Sequence, residues 1–113
     1  MAKINDKIQV ILNEQTYYAR MDFKAIAETQ WELEQKKGKF LTVPQIFKGV
    51  SDDNLSIIGE ILIQAILRCH PQLSHETLYE NMKFQELNKI REAIGELVQA
   101  SLPIDEDKKK DEK

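Results

Sequence analysis

Four residues just past the middle of the chain could do chemistry: Cys69, His70, His75 and Glu76. A thiol, two imidazoles and a carboxylate are zinc-type donors, and a cysteine beside a histidine is the pairing of a thiolate nucleophile with its base. The spacing suits neither use. Structural zinc takes four ligands, typically as spaced pairs. Here Cys69 and His70 are adjacent and leave different sides of a helix end, while His75 and Glu76 fall in the first turn of the next helix. Adjacent residues do not meet with catalytic geometry, and the sequence shows no orienting or oxyanion-binding feature. We read Cys69 as a buried thiol on a core stripe and the histidines as helix-end residues. No catalytic residue, cofactor or metal site is expected. The glycines, Gly38, Gly49, Gly59 and Gly95, are scattered and form no phosphate loop. Gly59 and Gly95 lie inside helices at about 1 kcal/mol each against alanine, and close helix–helix contact is the expected reason.

The elements that would position these groups follow from periodicity. Residues 8–12, IQVIL, and 15–21 predict two strands around the polar pair Asn13-Glu14, with Tyr17, Ala19 and Met21 on one face and Tyr18 and Arg20 on the other. Asp22 is the expected N-cap of a helix from Phe23 to about Lys36, with Phe23, Ile26, Ala27, Gln30 and Leu33 on one face and Gly38 as the stop. Thr42 caps a short helix that ends at Gly49. Asp52 or Asp53 caps a helix over 54–69 whose apolar residues cover most of its circumference, so it is expected to be central and buried. Ser74 caps a short helix with Leu78 and Met82. A last helix runs from about Phe84 to Ser101 with Leu87, Ile90, Ile94, Leu97 and Val98 as its stripe. The expected architecture is α+β, mainly α: an N-terminal β-hairpin followed by four or five packed helices over residues 1–103, then a disordered charged tail, 104–113.

The chain has 113 residues, of which 42% are hydrophobic and 31% charged, with a net charge of −3. Those figures describe one globular domain. The acidic balance weighs against nucleic acid, which needs clustered Lys and Arg. A helix-turn-helix reading of residues 42–67 fails because a recognition helix must offer polar side chains to base edges, and this one offers Ile and Leu. The most apolar window, residues 55–67, is too short and carries Glu60 and Gln64, so no membrane span is expected. The start, MAKINDK, is polar and charged and does not read as a secretory signal. A single cysteine excludes an internal disulfide and fits a reducing cytosol.

The pattern Tyr18, Asp22-Phe23, Ala25-Ile26, Glu28, then IFKGVSDDNL at residues 46–55, an apolar helix, and Leu73-Ser74 with Glu76 and Leu78, resembles the tail assembly chaperones of siphophage-like phages, prophages and gene-transfer agents. The resemblance spans about residues 10–100; the connection RCHPQ, residues 68–72, and the tail depart from it. It implies a non-enzymatic protein in the cytoplasm of a bacterial host. Such a protein binds the tape measure protein, keeps it soluble, helps bring tail tube protein subunits to it, and is not retained in the virion. It further implies two product lengths from a ribosomal frameshift; Lys108-Lys109-Lys110 can be encoded by an adenine run where one would fall, while the plainer reading is a lysine run in a charge-balanced disordered tail. The alternatives are a small phage-type DNA-binding regulator or a small virion head–tail connector component.

For the partner surface, the expected contacts are Ile57, Ile61 and Ile94 on the central and last helices, with Tyr18 and Trp31 at the rim, gripping an amphipathic helix. Self-association as a homo-oligomer through residues 8–21 or the helix faces is also expected. Truncation after Pro103 is expected to leave thermal stability nearly unchanged.

Overall fold

The computed structural model describes residues 7–101, so the tail, 104–113, and the effect of truncating it lie outside the described residues. The strands β1 (Ile8–Leu12) and β2 (Gln15–Ala19) pair antiparallel, Val10 opposite Tyr17 and Leu12 opposite Gln15. Asn13 and Glu14 both take left-handed backbone, φ 50° and 68°, as a two-residue I′ hairpin turn requires. Glutamate is ill suited to that conformation because its Cβ crowds the backbone. Glu14→Gly should therefore raise folding stability by about 1 kcal/mol. Urea unfolding tests this, and a midpoint that stays put or falls would contradict the turn assignment.

The alternation sorts the strand faces as the sequence predicts: Tyr17, Ala19 and Met21 are buried and Tyr18 is exposed. The second strand stops at Ala19 rather than Met21, because the backbone beyond it turns to another partner. Arg20 N–H donates to Ala65 O at 3.0 Å, and Tyr18 N–H donates to His70 Nε2 at 3.0 Å. The outer edge of β2 is thereby closed against the end of a helix. Antiparallel neighbours alternate in direction. The amides of Gln9 and Ile11 must then point away from β2, on the outer edge of β1.

Five α-helices follow: α1 (Phe23–Lys37), α2 (Val43–Ser51), α3 (Leu55–Cys69), α4 (His75–Asn81) and α5 (Leu87–Ser101), with a short 3-10 turn at Phe84–Glu86 before the last. Asp22 caps α1 by accepting from Ala25 N–H at 2.9 Å, and Gly38 ends it at φ 71°. The buried face of α1 is Ala25, Thr29 and Leu33. This corrects the expected stripe: of Phe23, Ile26, Ala27, Gln30 and Leu33 only Leu33 is buried, Ile26, Ala27 and Gln30 are half-buried, and Phe23 is 90% exposed. Thr42 and Gln45 form a reciprocal capping box on α2, which runs two residues past Gly49. The cap of α3 is Asn54, whose side chain accepts from Ile57 N–H, and not Asp52 or Asp53. Asp53 instead takes left-handed backbone, φ 60°, and pairs with Arg91 of α5.

Every residue of α3 from Ile57 to Ile66 is buried. The other elements wrap this helix: β2 and α1 lie against it, α2 crosses near its start, and α4 and α5 close the remaining sides. Gly59 meets the contact expected of it, since a Cβ there would stand 3.0 Å from Tyr79 Cε1 of α4. Gly95 does not, because nothing lies within 4 Å of its Cβ position. No helix among the described residues is long and apolar enough to cross a membrane.

Candidate functional site

Two features outside the apolar core could carry a function. The first is a polar cluster around Glu60, whose side chain is 1% exposed at the middle of α3. A buried carboxylate is tolerable only when hydrogen bonds replace its lost water. Three donors supply them: Gln64 Nε2 at 2.8 Å, one turn along the same helix; Lys36 Nζ at 3.0 Å, from the last turn of α1; and His75 Nε2 at 2.8 Å, from the first turn of α4. Burial pushes the Glu60 carboxyl up, but the bonds from Gln64, His75 and Lys36 outweigh it and hold the group below its ordinary value. Lys36 answers in kind. Burial pushes its amine down, the Glu60 bond pushes it up, and the net shift is upward. Its ammonium also lies 5.3 Å from the centre of the Tyr79 ring, whose edge meets His75.

Glu32, Glu60 and His75 bring three metal-type donor atoms within 4.8 Å of one another. This grouping is not the one the sequence raised. His75 serves Glu60, Glu76 is exposed on α4, and His70 accepts the Tyr18 amide while stacking on the Tyr18 ring at 6.4 Å. Cys69 is only partly buried, which corrects its placement as a buried thiol on the core stripe. At Glu60 the Lys36 ammonium already supplies the positive charge. The Lys36 and His75 bonds to Glu60 thus pin α1, α3 and α4 together.

The second feature is a groove of about 400 Å³ between α1, α2 and the last turn of α5. Phe23, Ile26 and Ala27 form one wall, Val43 and Phe47 a second, and Val98 and Ser101 a third. It exists because Asp22 is committed elsewhere. Arg68 of α3 grips its carboxylate with two parallel bonds, Nε to Oδ1 at 3.0 Å and Nη2 to Oδ2 at 2.9 Å. That fork, the first cause of the lowered Asp22 carboxyl, fixes the start of α1 and leaves Phe23 projecting outward.

The residues expected at the partner surface separate into two groups. Tyr18 and Trp31 are exposed, at 48% and 56%. Ile57, Ile61 and Ile94 are all core residues and can touch no partner while the fold is intact, which corrects their assignment. Phe23, Val43 and Phe47 were not singled out; the available signal was an aromatic directly after an N-cap, where a side chain lies at the helix mouth rather than on its buried stripe. Compared with protein families, with curated proteins and with solved structures, the chain matches none.

Proposed function

We propose that this chain is a non-catalytic docking protein that holds an apolar, amphipathic helical segment of a partner, in the manner of a phage tail assembly chaperone. The observation that carries the reading is the groove of α1, α2 and α5, with Phe23 standing 90% exposed at its lip. Exposed aromatic side chains around an apolar trough are what helix-in-groove recognition uses. On this reading the partner is the tape measure protein, kept soluble in the cytoplasm of a bacterial host while tail tube subunits gather on it, and the chaperone is absent from the finished virion. The sequence pattern from Tyr18 to Leu78 supports that choice of partner.

The test is co-expression with the tape measure protein of the same tail cluster. Its soluble fraction should rise with the wild-type chain. Phe23→Asp should abolish the rise, since loss of an aromatic anchor weakens binding by about 2 kcal/mol or more. The substitution should leave the fold's own stability within about 0.5 kcal/mol, because the side chain packs on little. Unchanged solubility with both proteins well expressed would overturn the chaperone reading.

A further inference from the structure

We propose that this chain forms a dimer in which β1 pairs antiparallel with β1 of a second copy about an axis at Val10, with the two α5 helices side by side under the joined sheet. It does not rest on the function proposed above, since it uses none of the groove residues Phe23, Val43 or Phe47.

Leu12 faces Gln15 across the two-residue turn, so Leu12, Val10 and Ile8 exchange bonds with β2, and the amides and carbonyls of Gln9 and Ile11 point outward. A groove of about 240 Å³ follows that edge, between Gln9 and Ile11 on one side and Lys89, Ile90 and Ala93 of α5 on the other. An axis at Val10 sets Gln9 opposite Ile11 of the second copy, and Ile11 opposite its Gln9. Each such pair can exchange both of its backbone hydrogen bonds. It also lays the exposed Ile11 side chain, at 52%, against the stem of a glutamine.

The helix that packs on β1 carries an independent reason. α5 runs antiparallel to the strand. Glu86, just before it, accepts from Asn13 N–H at 3.3 Å at the turn, while Gly95 and Glu96 border Ile8 at the other end. Lys89, Glu92, Gly95 and Glu96 are all exposed on this side. Gly95 weakens the helix and has no use within the monomer, since nothing lies within 4 Å of its Cβ position. A neighbouring helix passing closely supplies the use. The charges fit the same axis. A rotation about Val10 reverses α5, so Lys89, at the turn end, meets Glu96, at the Ile8 end, of the second copy. Neither residue belongs to an ion pair among the described residues. Glu92 falls near the axis and faces its own copy, a like-charge contact that the flanking Lys89–Glu96 pairs offset.

Sedimentation equilibrium of the full chain, from low to high micromolar concentration, should show a reversible monomer–dimer equilibrium. Proline at an outward-facing edge position removes no bond to the paired strand, so Ile11→Pro should fold and stay monomeric. Lys89→Glu and Glu96→Lys should each weaken the dimer about tenfold, by placing like charges together at both ends of the helix pair. The double exchange should restore it, and this charge series decides the matter where Ile11→Pro does not fold. In a mixture of labelled and unlabelled chains, the Ile11 methyls should show NOEs to Gln9 of the other copy. A strict monomer at high micromolar concentration overturns the proposal. So does a dimer that survives Ile11→Pro, or one whose two charge variants do not rescue each other. A dimer abolished by Phe23→Asp instead joins through the groove of α1, α2 and α5, and overturns it too.

Discussion

Ile61→Ala should remove about 2–5 kcal/mol of folding stability, a large share of what a domain this size has. Ile61 is fully buried at the centre of α3, the helix against which every other layer packs. Truncation leaves a cavity that α1 and α4 cannot readily close, because the Lys36, Arg68 and His75 bonds hold both at fixed spacing from α3. Urea unfolding is the measurement, with the midpoint falling and the slope unchanged. A loss below about 1 kcal/mol would show that the helix is not enclosed as described. The variant also separates core from surface: where it stays folded it should bind a partner as wild type does, unlike Phe23→Asp.

Glu60 carries the second large effect. Glu60→Ala should destabilise by about 2–3 kcal/mol. Breaking a buried ion pair removes more than that, but the figure is reduced here because the Lys36 side chain, 41% exposed, can turn to water. Gln64 cannot turn out so readily, at 8% exposure, and is left with an unpaired amide. The same residue sets an acid limit. Its folded-state carboxyl lies below the ordinary 4.5, so its stabilisation is complete above pH 4.5 and is lost as pH falls through the lower, folded-state value. Glu60→Gln, similar in size and without charge, should flatten the fall in stability below that pH. Asp22 contributes in the same direction but lower, since its ordinary value is 3.8 and it too is held down, chiefly by Arg68. Thermal unfolding at a series of acid pH values would read both. A Glu60→Gln curve parallel to wild type would remove Glu60 from the account.

What the sequence disclosed and what it hid divide along physical lines. The hairpin faces were legible because a period of two has only two sides, and Tyr17, Ala19 and Met21 could share only one of them. The burial of α3 was legible because apolar residues cover most of its circumference, interrupted only by the line Ser56, Glu60, Gln64 and Arg68. The cap of α3 was misplaced because Asp52, Asp53 and Asn54 are all good caps in a row, and only the ion pair with Arg91 shows that Asp53 is engaged elsewhere. Ile57, Ile61 and Ile94 read as partner contacts in the sequence because hydrophobic excess cannot say which side chains the chain's own layers cover. The Glu60 cluster was hidden by distance: its donors Lys36 and His75 lie 24 and 15 residues away along the chain. Its local trace was Glu60 in mid-helix, one turn before Gln64 and among isoleucines and leucines, a feature that calls for partners.

The hairpin also limits stoichiometry. A two-stranded ribbon with both edges free could add copies on either side without end, the geometry of a fibre. Here one edge is spent, because the amides of Tyr18 and Arg20 are held by His70 and Ala65. Among the described residues, the β1 side, at Gln9 and Ile11, is the edge left to accept another strand. Edge-to-edge joining about a two-fold axis would consume that side in both molecules at once. Growth through this sheet therefore stops at a pair with four strands, and the closure of β2 caps polymerisation.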